Sequence, residues 1–326
     1  MSTRLNLKVE SWPIAGRFTI SRGSKTEATV VVVEIHDGEF RGRGECVPYA
    51  RYSETIESVT AAVEGLKGRI GEDLDRSGLQ NALPPSAARN AVDCALWDLA
   101  AKRSGRRAWE LAGIPAPQPV TTAYTISLDK PEAMAKAARG VKYPLLKLKL
   151  GAQCDTERLK AVRAAVPNAR LIVDANEGWR EEDLVVNFAA CADARVELIE
   201  QPVRSDLDEV LARTERPVPV CADESAHDRG SLPNLRGKYD AVNIKLDKAG
   251  GLTEALALVD AAEREGFVIM VGSMVGTSLG VAPALLLANR ARFVDLDGPL
   301  LLERDRPEKL RYEGALVSPP DAELWG

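Results

Sequence analysis

Five ionisable residues, Lys149, Asp174, Glu200, Asp223 and Lys245, follow one another at intervals of 25, 26, 23 and 22 residues. Each lies at the end of a short apolar run, and each interval is the length of one strand–helix unit. Strands buried on both faces are apolar throughout, so charges at their ends are costly unless they are used. If the strands form a ring, three carboxylates meet at one mouth and repel one another. A hard divalent cation between them relieves that repulsion. An all-oxygen donor set favours Mg2+ over zinc. Lys147 alternates onto the same strand face as Lys149, so both point inward. In a ring of eight strands the second and sixth stand opposite, which sets Lys149 across from Lys245. A substrate carboxylate on the metal would hold its α-carbon between them. One lysine, as the neutral amine, would remove an α-proton, and the other, as ammonium, would return one to the opposite face, while the metal stabilises the enediolate between. A free lysine titrates near ~10.4, so the base needs its pKa lowered, and Lys147 and the metal are neighbouring cations that would lower it. Taken singly, each of these carboxylates reads as a strand-end cap and each lysine as a surface charge. Their joint recurrence at one period carries the reading.

The elements that must position these residues are short apolar runs at Thr121–Ser127, Leu145–Leu150, Leu171–Ala175, Val196–Ile199, Val218–Ala222, Ala241–Leu246, Val268–Val271 and Phe293–Leu296. Helical patterns separate most of them. In Leu252–Glu265, Leu252, Ala255, Leu256, Val259 and Ala262 share one face, and Gly266 follows as a stop. Eight strands with intervening helices predict a (β/α)-barrel, whose chemistry sits at the C-terminal strand ends. A doubly wound sheet normally carries a glycine-rich phosphate loop, and neither G-x-G-x-x-G nor a Walker sequence is present. Residues 1–115 read as an α+β domain, with strands at Leu5–Trp12, Thr29–Ile35 and Glu39–Val47 and a helix from Ser86 to Arg103. Ile114–Pro119 reads as a linker, 116–300 as the barrel, and 301–326 as a segment returning to the first domain.

Composition narrows the class. The chain has 326 residues, 43 Lys+Arg against 48 Asp+Glu, and a net charge of -5. That balance lacks the basic footprint of a nucleic-acid binder. The longest apolar stretch, Gly280–Asn289, is far short of the ~20 residues that span a membrane, and no secretion signal is visible. Five scattered cysteines without a C-x-x-C pair point to a reduced cytoplasmic protein. Only two histidines, His36 and His227, leave little for a Ser-His-Asp triad or a multi-histidine zinc site.

The order K-x-K, D-x-N, E-Q-P, D-E-S, N-I-K-L resembles the enolase superfamily in its muconate-lactonising-enzyme-like branch. Within it the chain resembles the dipeptide epimerases, above all those acting on L-Ala-D/L-Glu in murein peptide recycling. The shared segments span nearly the whole chain: Ser21–Ser24, Gly44–Tyr49, Ala87–Asp98, Ile172–Glu177, Cys221–Ser225, Asn243–Lys248 and Asp295–Pro299. The resemblance implies a modified (β/α)-barrel with an N-terminal α+β capping domain, and an isomerase. It implies Mg2+ on Asp174, Glu200 and Asp223, with Lys149 and Lys245 as the acid–base pair and Lys147 beside the substrate carboxylate. It further implies that Asp295 and Asp297 receive the dipeptide ammonium. Arg22, on a mobile N-terminal loop, would pair with the glutamate side chain. Thr125, Ser273, Met274 and Val275 would line the dipeptide, and capping loops around Arg22 and Tyr49–Tyr52 would close over it. The implied partner is a small dipeptide, with no nucleic acid or membrane; the state of association stays open, a homo-oligomer included.

Neighbouring chemistries share the two-lysine site: epimerases of other dipeptides, N-acylamino acid racemases, o-succinylbenzoate synthases and cycloisomerases. The Asp295/Asp297 pair argues for a free ammonium. A mandelate-racemase-like site would need a late-strand histidine, and a Schiff-base aldolase would not need three carboxylates. Gly276 departs from relatives that carry Glu in G-x-M-x-E, which bears on local substrate contacts.

Overall fold

The computed structural model describes residues 3–70 and 74–326. The chain opens with an antiparallel sheet of β1 (Arg4–Ile20), β2 (Gly23–Asp37) and β3 (Phe40–Cys46). Helices α1 (Ile56–Glu64), α2 (Arg76–Ala82) and α3 (Ala87–Ser104) follow. The first two strands outrun the expected ones. Polar and glycine-containing stretches at 13–28 read as loop in the sequence, yet they pair from Phe18–Lys25 to Ile20–Gly23 beyond an irregularity at Pro13/Phe18. Arg22 therefore sits at the tip of a long hairpin and not on a free loop. Helix α3 starts at Ser86, whose side chain accepts from the Arg89 N–H, and ends at Gly105 in the left-handed region. It lies directly on β3: a Cβ on Gly44 would fall 2.1 Å from the Ala91 carbonyl, so only glycine allows that approach.

After β4 (Val120–Thr121) come eight parallel strands: β5 (Tyr124–Ile126), β6 (Leu145–Lys149), β7 (Arg170–Asp174), β8 (Val196–Glu200), β9 (Val220–Ala222), β10 (Ala241–Ile244), β11 (Val268–Gly272) and β12 (Phe293–Asp295). Each of the eight expected runs overlaps one of them, with β7, β8 and β11 each reaching one residue beyond the expected bounds. No ladder joins β12 to β5, but the Ala123 N–H donates to the Val294 carbonyl (2.8 Å) and Leu296 N–H to Thr122 Oγ1 (2.9 Å), which draws the ring nearly shut. The helix expected at Leu252–Glu265 is present at Leu252–Arg264. Among the described residues no helix is long and apolar enough to cross a membrane.

Strand alternation decides what faces the barrel axis. One inward layer is Ala123, Leu145, Ile172, Leu198, Cys221, Ala241, Met270 and Phe293, a sealed apolar plug with one residue from each strand or its start. Two residues further along each strand the layer is Thr125, Lys147, Asp174, Glu200, Asp223, Asn243, Gly272 and Asp295. The polar site thus rests one pleat above an apolar floor.

The segment after residue 300 touches both parts of the chain. Strand β14 (Leu316–Val317) pairs with β4 and with β13 (Tyr312–Glu313), while the Trp325 indole donates to the Cys94 carbonyl and Gly326 N–H to Asp98 Oδ1 on α3. The two main parts are also bolted at the end of the short helix that follows the sixth strand: Arg89 of α3 donates to the Ala249 (2.7 Å) and Gly250 (3.0 Å) carbonyls.

Candidate active site

The polar layer brings the expected residues together. Lys147 Nζ lies 2.6 Å from Glu200 Oε2, 2.7 Å from Asp295 Oδ2 and 3.2 Å from Asp174 Oδ2. Lys149 donates to Asp174 Oδ2 (2.6 Å) from the second strand, and Lys245 to Asp223 Oδ2 (2.7 Å) from the end of the sixth. With four strand steps between them, the two lysines approach the mouth from opposite sides.

Burial alone would raise the Asp174 carboxyl, but Lys149 and Lys147 outweigh it and hold it below the usual range. Asp223 is depressed against burial by Lys245 and Lys248. Glu200 goes the other way, pushed up to about 7 by burial and by Asp174. The sequence predicted a lysine depressed by its neighbours. At Lys245 burial and Lys147 favour the neutral amine, and against them Asp223 and Glu200, by the protein's own charges alone, hold it above the ordinary lysine value. The reason is the number of carboxylates.

One oxygen from each of Asp174, Glu200 and Asp223 lies within 4.8 Å of the others, and all three side chains are buried. Glu200 Oε2 and Asp223 Oδ1 accept no hydrogen bond, so their lysine contacts are ion pairs that leave acceptor directions unused. This all-oxygen, lone-pair-rich set fits a hard divalent cation such as Mg2+.

Above the layer lies a cavity of about 880 Å³, ample for a dipeptide. Phe18, Arg22, Tyr49 and Tyr52 roof it from the first domain, and Lys149, Lys245, Ser273, Met274 and Val275 line it from the barrel. Thr125, Asp295 and Asp297 are buried and lie outside that lining. Asp297 Oδ2 accepts from the Thr125 N–H (2.6 Å), and burial with Asp295 pushes its carboxyl up to about 7. Asp295 gives one oxygen to Lys147, while its Oδ1 has no partner.

Arg22 is placed differently from expectation. Its guanidinium donates to Glu224 Oε1 (2.7 Å), the Asn176 carbonyl (2.7 Å), Glu177 Oε2 (3.2 Å) and the Tyr49 hydroxyl (3.2 Å). Arg51, from the Tyr49–Tyr52 segment, grips the same Glu177 with two bonds of 2.6 and 2.7 Å. One barrel carboxylate therefore fastens both roof segments. Glu177→Gln should raise KM about 10-fold with a smaller change in kcat, the scale of one charge-assisted hydrogen bond. It should also speed amide hydrogen exchange at 20–24 and 49–52; exchange as slow as in the parent would show that the fastening lies elsewhere.

Gly276 also finds its reason here. A Cβ there would lie 3.1 Å from Glu45 Oε1, and Glu45 is the buried acceptor for the Thr277 N–H (2.8 Å) and for Arg306 (2.7 Å). A glutamate at 276 would set a second acid against it.

Sequence reasoning missed Asn176, Glu177, Gln201, Glu224, Asn243 and Lys248 as site residues. Asn176 donates to Asp174 through its N–H (2.8 Å) and side chain (3.1 Å), Asn243 donates to Glu200 Oε1 (2.7 Å), and Gln201 Oε1 accepts from the Asp223 N–H (2.9 Å). Asn243 was findable by alternation, being two residues before Lys245.

The chain as a whole has known counterparts. The description "Mandelate racemase / muconate lactonizing enzyme, N-terminal domain" matches residues 3–113, and "Enolase C-terminal domain-like" matches 131–323. The chain belongs to the enolase superfamily, in its mandelate racemase / muconate lactonizing enzyme family. It is 46% identical over 308 residues to the L-Ala-D/L-Glu epimerase of Escherichia coli K12, covering 93% of this chain and 95% of the relative. It is also 46% identical over 302 residues to the N-acetyl-D-glutamate racemase of a Pseudoalteromonas species, covering 91% and 95%. An enolase family member from Agrobacterium tumefaciens with homology to dipeptide epimerases, solved with sodium and L-Ala-L-Glu, superposes with a TM-score of 0.98 at 54% identity over 100% of both chains. A dipeptide epimerase from Cytophaga hutchinsonii, complexed with Mg and D-Ala-L-Val, gives a TM-score of 0.92 at 28% identity over 98% of this chain and 93% of that one. The epimerases and the racemase among these homologues are isomerases.

Proposed function

We propose that this chain is a Mg2+-dependent dipeptide epimerase that interconverts L-Ala-D-Glu and L-Ala-L-Glu by two-lysine 1,1-proton transfer. The observation that carries the reading is the pair Lys149 and Lys245, set on opposite sides of one mouth with three buried carboxylates between them. Asp174, Glu200 and Asp223 would hold the cation, which supplies charge stabilisation for the substrate carboxylate as its α-proton leaves. With the carboxylates so engaged, less negative charge remains to keep a lysine protonated. The neutral lysine takes the α-proton from one face, and the opposite lysine, as ammonium, delivers a proton to the other. Asp295 Oδ1 and Asp297 receive the dipeptide ammonium. The roof segments held by Glu177 exclude water from the reacting carbon. Five unbridged cysteines suit a reducing compartment, in keeping with murein peptide recycling in the cytoplasm.

Proton NMR of both epimers in D2O with Mg2+ tests the reading. Loss of the glutamate α-proton signal with appearance of the other diastereomer is the expected result. No exchange while metal is bound would overturn the activity and leave the fold and metal site standing.

A second reading is favoured by the N-acetyl-D-glutamate racemase, as similar to this chain as the epimerase is. Both substrates end in glutamate and differ in whether an ammonium must be received. Asp297 separates them. Its carboxyl is pushed up to about 7, so it gains charge as pH rises through that value. An ammonium-bearing substrate should bind more tightly over the same range, with KM falling toward alkaline pH. Asp297→Asn should remove that limb and raise KM for the dipeptide about 10- to 100-fold, the loss of one charged hydrogen bond. N-acetylglutamate should show neither effect; equal losses for both substrates would favour the second reading.

A further inference from the structure

Lys248 stands outside the cavity lining and outside the set of residues assigned above to substrate or cation. It lies in the short helix Leu246–Ala249 that follows the sixth strand, and its side chain is 0% exposed. Burying an ammonium is expensive unless every N–H finds an acceptor. This one donates to the Asp223 carbonyl at 2.5 Å and to the Asn243 carbonyl at 3.0 Å, and its charge is met by an ion pair with Asp223 Oδ1 at 2.6 Å.

The place matters as much as the count. The registered pairs between β9 and β10 end at Cys221–Ala241 and Ala222–Val242. The next residues are Asp223 and Asn243, and after Ile244 comes Lys245. Backbone pairing therefore stops just short of a carboxylate and a lysine that must keep a fixed separation. Lys248 bridges the gap by binding the carbonyls of both strand ends and one oxygen of the Asp223 side chain. On the far side of Asp223, Gln201 Oε1 takes its N–H and that of Ser225 (3.1 Å).

We propose that Lys248 is a positioning residue that fixes the Asp223 carboxylate and the Lys245 strand end relative to each other, and so sets both cation affinity and the reaction at one face of the substrate. The inference rests on Asp223 as a cation ligand and Lys245 as one of the two acid–base groups. It is asymmetric: Lys149 approaches from the second strand and does not touch Lys248's partners.

The test uses the full chain and Mn2+ as probe, read by electron paramagnetic resonance, with Lys248→Met and with Lys248→Gln, which keeps donors for the carbonyls if the first variant fails to fold. Mn2+ affinity should fall about 10- to 100-fold, the usual cost of losing a partner behind a metal ligand. At saturating metal, α-proton exchange in D2O should slow more for the epimer that Lys149→Ala still exchanges, which is the one served by Lys245. A folded variant with unchanged Mn2+ affinity, or with both epimers slowed alike, would overturn the inference and leave the two-lysine reading intact. A parent protein that binds no Mn2+ or exchanges neither epimer would instead bring down that reading, and this inference with it.

Discussion

Lys149→Ala and Lys245→Ala should each stop conversion of one epimer into the other while leaving the fold intact. Inversion needs a proton removed on one face and supplied on the other, so either loss breaks the cycle. Losing a positioned acid–base group costs typically about 10²- to 10⁴-fold, and here one variant loses the base in one direction and the acid in the other. The diagnostic outcome is divided. Each variant should still exchange the α-proton of the one epimer that faces its remaining lysine, and the two variants should choose opposite epimers. Both alanines are tolerable because each lysine has the open cavity on one side, although Asp174 and Asp223 lose a close partner. An alanine variant that interconverts the epimers at the parent rate would remove that lysine from the mechanism. Circular dichroism of each variant separates lost chemistry from lost structure.

The largest effect on stability should come from Lys147→Met. The ammonium is 1% exposed and meets three carboxylates within 3.2 Å. Removing it leaves Asp174, Glu200 and Asp295 facing one another in the barrel, and breaking a buried pair in this way costs about 3–5 kcal/mol. For a chain of this size that is a drop in Tm on the order of 10 °C. The pH dependence has a definite sign. Glu200 is already pushed up to about 7 by burial and Asp174, whereas an unfolded glutamate titrates near ~4.3. The folded state therefore binds a proton that the unfolded state does not over that range, and loss of Lys147 enlarges the difference. The variant should gain on its parent as pH falls from above 7 toward 5. Added Mg2+ should raise its Tm by more than it raises the parent's. Thermal melts at three pH values, with and without Mg2+, decide the matter; melts that coincide with the parent's would show that the carboxylates need no buried countercharge.

The polar layer was legible because two periods coincide in it. Strand alternation turns every second residue inward, and the strand–helix repeat brings one such residue from each unit to the same height. Asp174, Glu200 and Asp223 satisfy both periods at the height of Lys147 and Asn243, and Lys149 and Lys245 stand one pleat above on the same inward face, so spacing alone located them. Contacts that jump across the chain were hidden. Nothing local signals that Arg22 will be held by Glu224, 202 residues away, or that Lys147 will take an oxygen of Asp295, 148 residues away. The hairpin at 13–28 was hidden for another reason: its strands run over the barrel mouth without a continuous apolar face, so alternation gives no signal there. Lys248 lies within the Asn243–Lys248 segment, but its direction depends on a helical turn that begins only after the strand has ended.

The sealed floor beneath the polar layer has a consequence for how such a protein can change. Every group proposed to move a proton or to hold a cation is rooted in strand pleats or strand ends above the plug of Leu145, Ile172, Leu198, Met270 and Phe293. Much of the roof over the substrate comes from another region of the chain, the hairpin tip and the Tyr49–Tyr52 segment. Heredity can therefore edit the two separately. A substitution at the hairpin tip should change the walls of the cavity more than it changes the surroundings of either lysine.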